Sequence, residues 1–325
     1  MISMLKSPAD GPVFSIITPC YNAADTIEAT IRSVYVQTYP HVEHIVTDGG
    51  SPDSTVDILK RYPHLRWISE PDKGQADALN KGFRMACGDL IGWLNADDVY
   101  KPDTLRQAAS LFAADTEVEM LHGDMDWINA DGRPLRVVKG REMALPDALL
   151  SNPVNQQAAF FRRSIFDRAG YLRTDLHYVM DYEFWLRLAG RVRSRYVPEL
   201  WASFRMAPGT KTVSQPEQFW LEILAVYDEI FSDPSLPAAI ASVKRLAYGR
   251  MHWLAATGLC RAGAWTAAQD HIHRALVNYD LLAEDYLDNV RLKTTRTLLE
   301  ARIGVSSPLC AFTHQGDDTD ERSDR

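Results

Sequence analysis

The chain opens with a series of apolar runs too short for helices, each followed by a polar loop and then by an amphipathic stretch. Val13 to Thr18 is the first run; Pro19-Cys20-Tyr21-Asn22 leads from it, past a candidate N-cap at Asp25, into a helix reaching about Gln37. Glu43 to Thr47 repeats the pattern and ends at Asp48-Gly49-Gly50-Ser51, before a helix from Ser54 toward Tyr62. A third strand, Leu65 to Ser69, closes on Glu70-Pro71-Asp72-Lys73-Gly74, and Gln75 to Ala86 then has helical spacing with Ala78, Leu79 and Phe83 on one face. Asp89 to Leu94 is the fourth strand. It drives into Asn95-Ala96-Asp97-Asp98, after which Lys101-Pro102-Asp103-Thr104 opens another helix. Strands alternating with helices predict a mostly parallel sheet with right-handed crossovers, in which these polar loops gather at one edge. Open α/β sheets hold their ligands at that edge.

From Glu119 onward the pattern changes. Met120 to Ile128 and Pro134 to Lys139 read as two strands joined by the turn Asn129-Ala130-Asp131-Gly132, an antiparallel excursion. A short helix around Leu145 to Leu150 precedes a strand over Asn155 to Arg163 that ends in two basic residues. Met180 then starts a helix with Asp181 and Glu183 at its N-terminal end, where acids are favoured by the helix dipole and can cap free N–H groups. Beyond Val213 the spacing is helical, over Gln218 to Phe231, Leu236 to Gly258, Ala264 to Asn278 and Leu281 to Ile303. Gly258 to Leu276 resembles part of a tetratricopeptide-like helix pair, but one partial repeat is short of a solenoid. Core packing is the favoured role of this region, over a partner contact or a peripheral contact with lipid. The expected organisation is an extension over 1–11, an α/β domain over 12–212, a helical region over 213–305 and a polar, disordered tail over 306–325.

A length of 325 residues, 46% hydrophobic and 24% charged, belongs to an ordinary globular protein with one large α/β domain and an appendage. The net charge of -8 argues against a nucleic-acid partner. Cys20, Cys87, Cys260 and Cys310 form no CxxC pair, which removes a zinc knuckle or redox motif. No apolar stretch approaches a membrane span or a signal-peptide core, so the expected location is the cytoplasm, with a peripheral position at the inner membrane face left open. A GxGxxG after the first strand, a GxxxxGK[ST] loop and a GxSxG elbow are all missing; carboxylates carry the candidate site. His271 and His273 lie two apart, too far around a helix to share a metal, and Trp201, Trp220, Trp253 and Trp265 are read as core rather than as sugar platforms.

In series, Ile16-Ile17-Thr18-Pro19-Cys20-Tyr21-Asn22, Val46-Thr47-Asp48-Gly49-Gly50-Ser51-Pro52-Asp53-Ser54-Thr55, Asp72-Lys73-Gly74 through Asn80-Lys81-Gly82, Asn95-Ala96-Asp97-Asp98 and Asp181-Tyr182-Glu183-Phe184-Trp185-Leu186-Arg187 resemble family 2 glycosyltransferases of the GT-A fold. The match runs over about residues 12 to 212. It implies a Rossmann-like, mixed but mostly parallel sheet flanked by helices, and an inverting transfer from a nucleotide-diphosphate sugar, of the UDP kind, to a glycan or lipid-linked acceptor in surface polysaccharide assembly. By resemblance Thr18, Pro19 and Tyr21 line the base pocket, Asp48 accepts from the base, and Lys73 is a nearby basic partner. Asp97 touches ribose or sugar, Asp98 binds Mg or Mn, and Asp181 is the general base with Glu183 as runner-up. Hard oxygen ligands suit such a cation, which offsets the charge of a leaving diphosphate. Phe204 to Thr212 resembles a mobile loop of the family, with Ala207 where histidine is frequent; Arg205 and Lys211 remain there to pair with phosphate. Asn95 also replaces the first acid of the family's acidic motif. The rival readings are a nucleotidyltransferase, which wants a glycine- and basic-rich first loop, and a non-catalytic nucleotide-sugar-binding or scaffold protein using the C-terminal helices.

Overall fold

The computed structural model describes residues 11–206, 216–261 and 263–278. The chain forms two compact units that divide between Ala247 and Tyr248. In the first, the strands are β1 (Phe14–Cys20), β2 (Val42–Asp48), β3 (Arg66–Ser69), β4 (Leu90–Trp93), β5 (Val99–Tyr100), β6 (Met120–Ile128), β7 (Pro134–Val138), β8 (Ala159–Arg162) and β9 (Ser194–Arg205). They make one sheet in the order β3-β2-β1-β4-β8-β6-β9-β5, with β7 pairing β6 outside that path. The β1–β2, β1–β4 and β2–β3 pairs are parallel, as expected from the alternation with α1 (Ile27–Tyr35), α2 (Thr55–Lys60) and α3 (Gln75–Met85). The return through β8 is antiparallel to β4 and β6, and β9 then runs parallel to β6.

Every residue of β1 is buried, as a central strand covered on both faces requires. One core lies against α4 (Thr104–Ala114), where Phe14, Ile16, Leu90, Phe112, Phe160 and Trp201 meet. The other joins Cys20, Ile27, Ile31, Val46 and Leu59 on the α1 and α2 side. Trp201 is core, as expected, and its Nε1 donates to Gln107 Oε1 at 2.9 Å.

Three departures from the sequence reading have physical causes. The expected strand from Asn155 begins instead as a 3-10 turn over Gln156–Ala158, because both glutamines turn inward to bond the acidic loop and its strand. Strand β9 was not anticipated; its first half shows exposed Arg195, Glu199 and Leu200, and its pairing with β6 is a long-range contact invisible to local periodicity. The stretch read as one helix over Leu236 to Gly258 is two, Ala238–Ser242 and Lys244–Arg261. The short α5 (Leu145–Ala148), α6 (Ile165–Ala169) and α7 (Met180–Leu188) precede β9, and α8 (Pro216–Ser232) follows it within the first unit. The expected helix over 281–303 and the tail lie outside the described residues.

In the second unit, Leu259, Cys260 and Ala268 form a small core with Trp253, Trp265 and Ile272 around them. His271 does not meet His273; its Nδ1 lies 3.0 Å from that of His252, both rings being buried.

Candidate active site

The C-terminal edge of β1, β2, β3 and β4 gathers the polar loops. Asp48 ends β2 and is 2% exposed. Its Oδ2 accepts the N–H groups of Gly50 and Ser51 at 3.1 and 3.0 Å and the Ser69 hydroxyl at 2.6 Å, and its Oδ1 accepts the Ser51 hydroxyl at 2.5 Å. The carboxylate thus builds the loop it sits in. Gly49 is fixed by crowding: a Cβ there would lie 2.5 Å from Asp72 Oδ2 and 3.4 Å from the Tyr21 ring. Tyr21, the Asp48 turn and Asp72 therefore meet in one place, with Tyr21 61% exposed. Gly49→Ala is expected to displace Asp72 and weaken nucleotide binding about ten-fold while leaving the melting temperature nearly unchanged; calorimetry against a nucleoside diphosphate checks it.

Gly74 holds φ +111° and donates its N–H to Asp72 Oδ1 at 2.8 Å, so only glycine fits the start of α3. A Cβ on it would approach His177 Nδ1 to 3.3 Å, which places the Asp72-Lys73-Gly74 loop against the segment leading into α7. Asn80 of α3 reinforces this side, its amide bonding both the N–H and the carbonyl of Leu172 at 3.0 and 2.8 Å.

The acidic turn after β4 treats its two carboxylates differently. Asp98 has no exposed surface. Its Oδ1 accepts the Arg205 N–H at 3.0 Å, Oδ2 faces Asn95 Nδ2 at 3.4 Å, and the Gln157 side chain bonds it as well. Burial, reinforced by the neighbouring Asp97 carboxylate, raises its pKa well above the ordinary carboxylate range. Asp97 is half-buried, and burial raises it too. Asn95 is the hub of the turn: its Oδ1 accepts from Gln75 Nε2 at 2.9 Å and from Trp93 Nε1 at 2.8 Å.

Asp181 lies in the first turn of α7, half-buried, and burial pushes its carboxyl up to about 6. Glu183, the runner-up, is 6% exposed and forms an ion pair with Arg187 Nε at 2.7 Å, which commits it to holding the helix. The turn ahead of α7 is fastened from outside. Glu222 of α8 accepts the N–H groups of His177, Tyr178 and Val179 at 2.8, 2.7 and 3.2 Å. Tyr182 Oη donates to the Ala148 carbonyl at 2.6 Å and lies 2.8 Å from Tyr227 Oη, a second tie between α7 and α8.

The remaining expected residues fall into two groups. Tyr21 reaches the site and Lys73 is exposed on its rim. The Thr18 side chain is fully buried, with Oγ1 2.9 Å from His44 Nε2, because a central strand hides both of its faces. Pro19 is buried beside it. The Arg205 guanidinium bonds backbone carbonyls: Nε donates to that of Asp97 at 3.0 Å and Nη1 to those of Asn129 and Ala130 at 3.2 and 2.7 Å. Lys211 and Ala207 lie outside the described residues. Sequence reasoning missed Gln156, Gln157 and Glu222. The polar Asn155-Gln156-Gln157 run directly before an apolar strand was a usable signal; a glutamate in the middle of α8 was not.

The family model for glycosyl transferase family 2 matches residues 15–169. A PGL/p-HBAD biosynthesis glycosyltransferase of Mycobacterium bovis (strain BCG / Pasteur 1173P2) is 30% identical over 216 residues, 64% of this chain and 82% of the relative. The chain belongs to glycosyl transferase family 2. The putative teichuronic acid biosynthesis glycosyltransferase TuaG of Bacillus subtilis (strain 168) is 34% identical over 150 residues, 44% of this chain and 59% of the relative. Among solved structures, S. aureus TarS 1-349 in complex with UDP-GlcNAc superposes with TM-score 0.60 at 18% identity, covering 90% of this chain and 92% of that one. The mannosyltransferase PcManGT of Pyrobaculum calidifontis, in complex with GDP-Man and Mn2+, gives TM-score 0.60 at 22% identity, covering 90% and 84%. The fold of this family 2 glycosyltransferase is therefore GT-A, with the mostly parallel sheet expected from the sequence.

Proposed function

We propose that this family 2 glycosyltransferase moves a sugar from a nucleotide-diphosphate donor, of the UDP kind, to a glycan or lipid-linked acceptor with inversion at the anomeric carbon. The observation that carries the reading is the meeting, at one sheet edge, of the Tyr21–Gly49–Asp72 cluster and the Gly74–His177 contact that leads into the Asp181 helix. An acceptor hydroxyl attacks the anomeric carbon, the bond to the diphosphate breaks, and Asp181 takes the hydroxyl proton. A carboxyl near 6 is ionised at neutral pH yet basic enough to receive that proton. Direct displacement needs a single base, and Glu183, the other acid in the first turn of α7, is held in its ion pair with Arg187. The neighbours' complexes with UDP-GlcNAc and GDP-Man support a nucleotide-sugar donor, and the relatives' names, which place them in PGL/p-HBAD and teichuronic acid biosynthesis, support a surface glycan or lipid-linked acceptor.

A divalent Mg or Mn ion belongs beside Asp97 rather than Asp98 in this reading. Both Asp98 oxygens already face protein donors and the group is fully buried, whereas Asp97 is only half-buried. Among the described residues no three His, Cys, Asp or Glu side chains come together as a metal cage. Asp97 would be the protein's ligand to such an ion, with oxygens of the donor diphosphate and water as its partners. When bound, the ion offsets the negative charge that develops on the leaving diphosphate.

Thermal shift with UDP, GDP and their sugars, with and without Mn2+, tests the donor class. Saturating nucleotide at about a hundred times its dissociation constant stabilises the fold by about 2.7 kcal/mol; absence of a shift with every nucleotide contradicts the reading. Glu222→Ala is expected to lower kcat about ten-fold with a smaller rise in donor KM, since it frees the turn that aims Asp181 and reaches the donor loops only through His177 beside Gly74. Steady-state kinetics with donor varied separates the two.

A further inference from the structure

We propose that the hairpin formed by β6, the turn Asn129–Gly132 and β7 is a docking element for an anionic lipid surface. Among the described residues strand β7 pairs only with β6 and stands outside the main path of the sheet, with no described strand on its other edge. Leu135 and Val137 on it are 57% and 55% exposed, while its Arg136 lies over the Trp127 ring at 3.7 Å. Strand alternation puts Leu135 and Val137 on the face away from that stack, with Arg133 and Lys139 continuing the same face at either end. The result is an aliphatic pair bracketed by exposed cations. Over 129–141 the segment has Arg133, Arg136, Lys139 and Arg141 against a single acid, Asp131, in a chain whose net charge is -8.

Charge selects the occupant. An acidic chain is repelled by an anionic membrane except where a local basic patch reaches it first, and aliphatic side chains between the cations can enter the headgroup region. A second copy pairing edge to edge would bring like charges together, which the same cations oppose. A polyanion would use the cations and leave Leu135 and Val137 in water. An edge guarded only against self-pairing needs charge and no exposed aliphatic pair. The hairpin also connects to the acidic turn: Arg205 holds the Asn129 and Ala130 carbonyls with Nη1 and the Asp97 carbonyl with Nε. A lipid surface met by the hairpin therefore lies beside the donor edge. This last point rests on the proposed function; the lipid contact itself does not.

The test is co-sedimentation of the full chain with vesicles of phosphatidylcholine alone or mixed with phosphatidylglycerol. The wild type is expected to bind the anionic vesicles about ten-fold better than the neutral ones, and to lose that binding in about 0.5 M salt. Arg133→Glu with Lys139→Glu, and separately Leu135→Ser with Val137→Ser, are each expected to reduce it about ten-fold. Both pairs keep wild-type release of nucleotide from a soluble donor, so failure of the enzymatic reading shows as no release in the wild type, independently of vesicles. Equal binding by wild type and both variants overturns the proposal, as does absence of binding to anionic vesicles. Hairpin-dependent capture of polyuridylate without vesicle binding, or a doubled solution mass abolished by Leu135→Ser with Val137→Ser, also overturns it in favour of nucleic acid or self-association.

Discussion

Asp181→Asn lowers sugar transfer by about a thousand-fold while nucleotide affinity stays within about two-fold, because it removes the proton acceptor and leaves the donor loops intact. In the wild type kcat/KM falls about ten-fold per pH unit below about pH 6, where Asp181 becomes protonated; the variant loses that limb. Stability moves the other way. The carboxyl sits near 6 in the folded chain, against about 3.9 in an unfolded one, so folding favours the protonated acid. That benefit is complete below about pH 4 and is lost as the pH rises through about 6, so at neutral pH the ionised group costs stability. The amide escapes the cost, and Asp181→Asn is expected to raise the melting temperature by a few degrees, on the order of 1–2 kcal/mol. Higher stability with lost turnover is the signature of a site residue; loss of both would make Asp181 a structural cap.

The second large effect separates the adjacent acids. Asp98→Ala leaves the Arg205 N–H and the Gln157 side chain without their buried carboxylate partner and is expected to destabilise the chain by about 2–4 kcal/mol. Asp98→Asn resembles the protonated acid, so it is expected to keep the fold and most of the activity. Asp97→Asn does the reverse: the fold stays intact and Mn2+-dependent donor affinity falls about a hundred-fold. Chemical denaturation beside calorimetry, each with and without Mn2+, reads both axes. If Asp98→Asn removes the metal response and Asp97→Asn preserves it, the two roles are exchanged.

The unequal burial of Asp97 and Asp98 marks the limit of the sequence. Ile16 to Thr18, Val46 to Asp48 and Ile91 to Leu94 are apolar runs ending in polar loops, and their parallel pairing followed from the helices between them. The gathering of Tyr21, Asp48, Asp72 and the acidic turn at one edge was legible for the same reason. Which of two adjacent carboxylates faces inward was not, because it depends on the backbone of Arg205, 107 residues further on. Nor was the burial of the Thr18 side chain legible, because a strand buried on both faces has no alternation to read. Arg205 is a second case: its charge near an acidic motif did not show that its guanidinium bonds the carbonyls at the hairpin tip. Glu222 acts from a helix beyond β9, and no local pattern joins it to the turn ahead of α7.

The most direct measurement is nucleotide release from a panel of UDP- and GDP-sugars with Mn2+, comparing the wild type with Asp181→Asn. Turnover by the wild type on at least one donor, lost in the variant while nucleotide binding persists, is the predicted result. Equal turnover in both, or no binding of any nucleotide diphosphate by the folded wild type, contradicts the account.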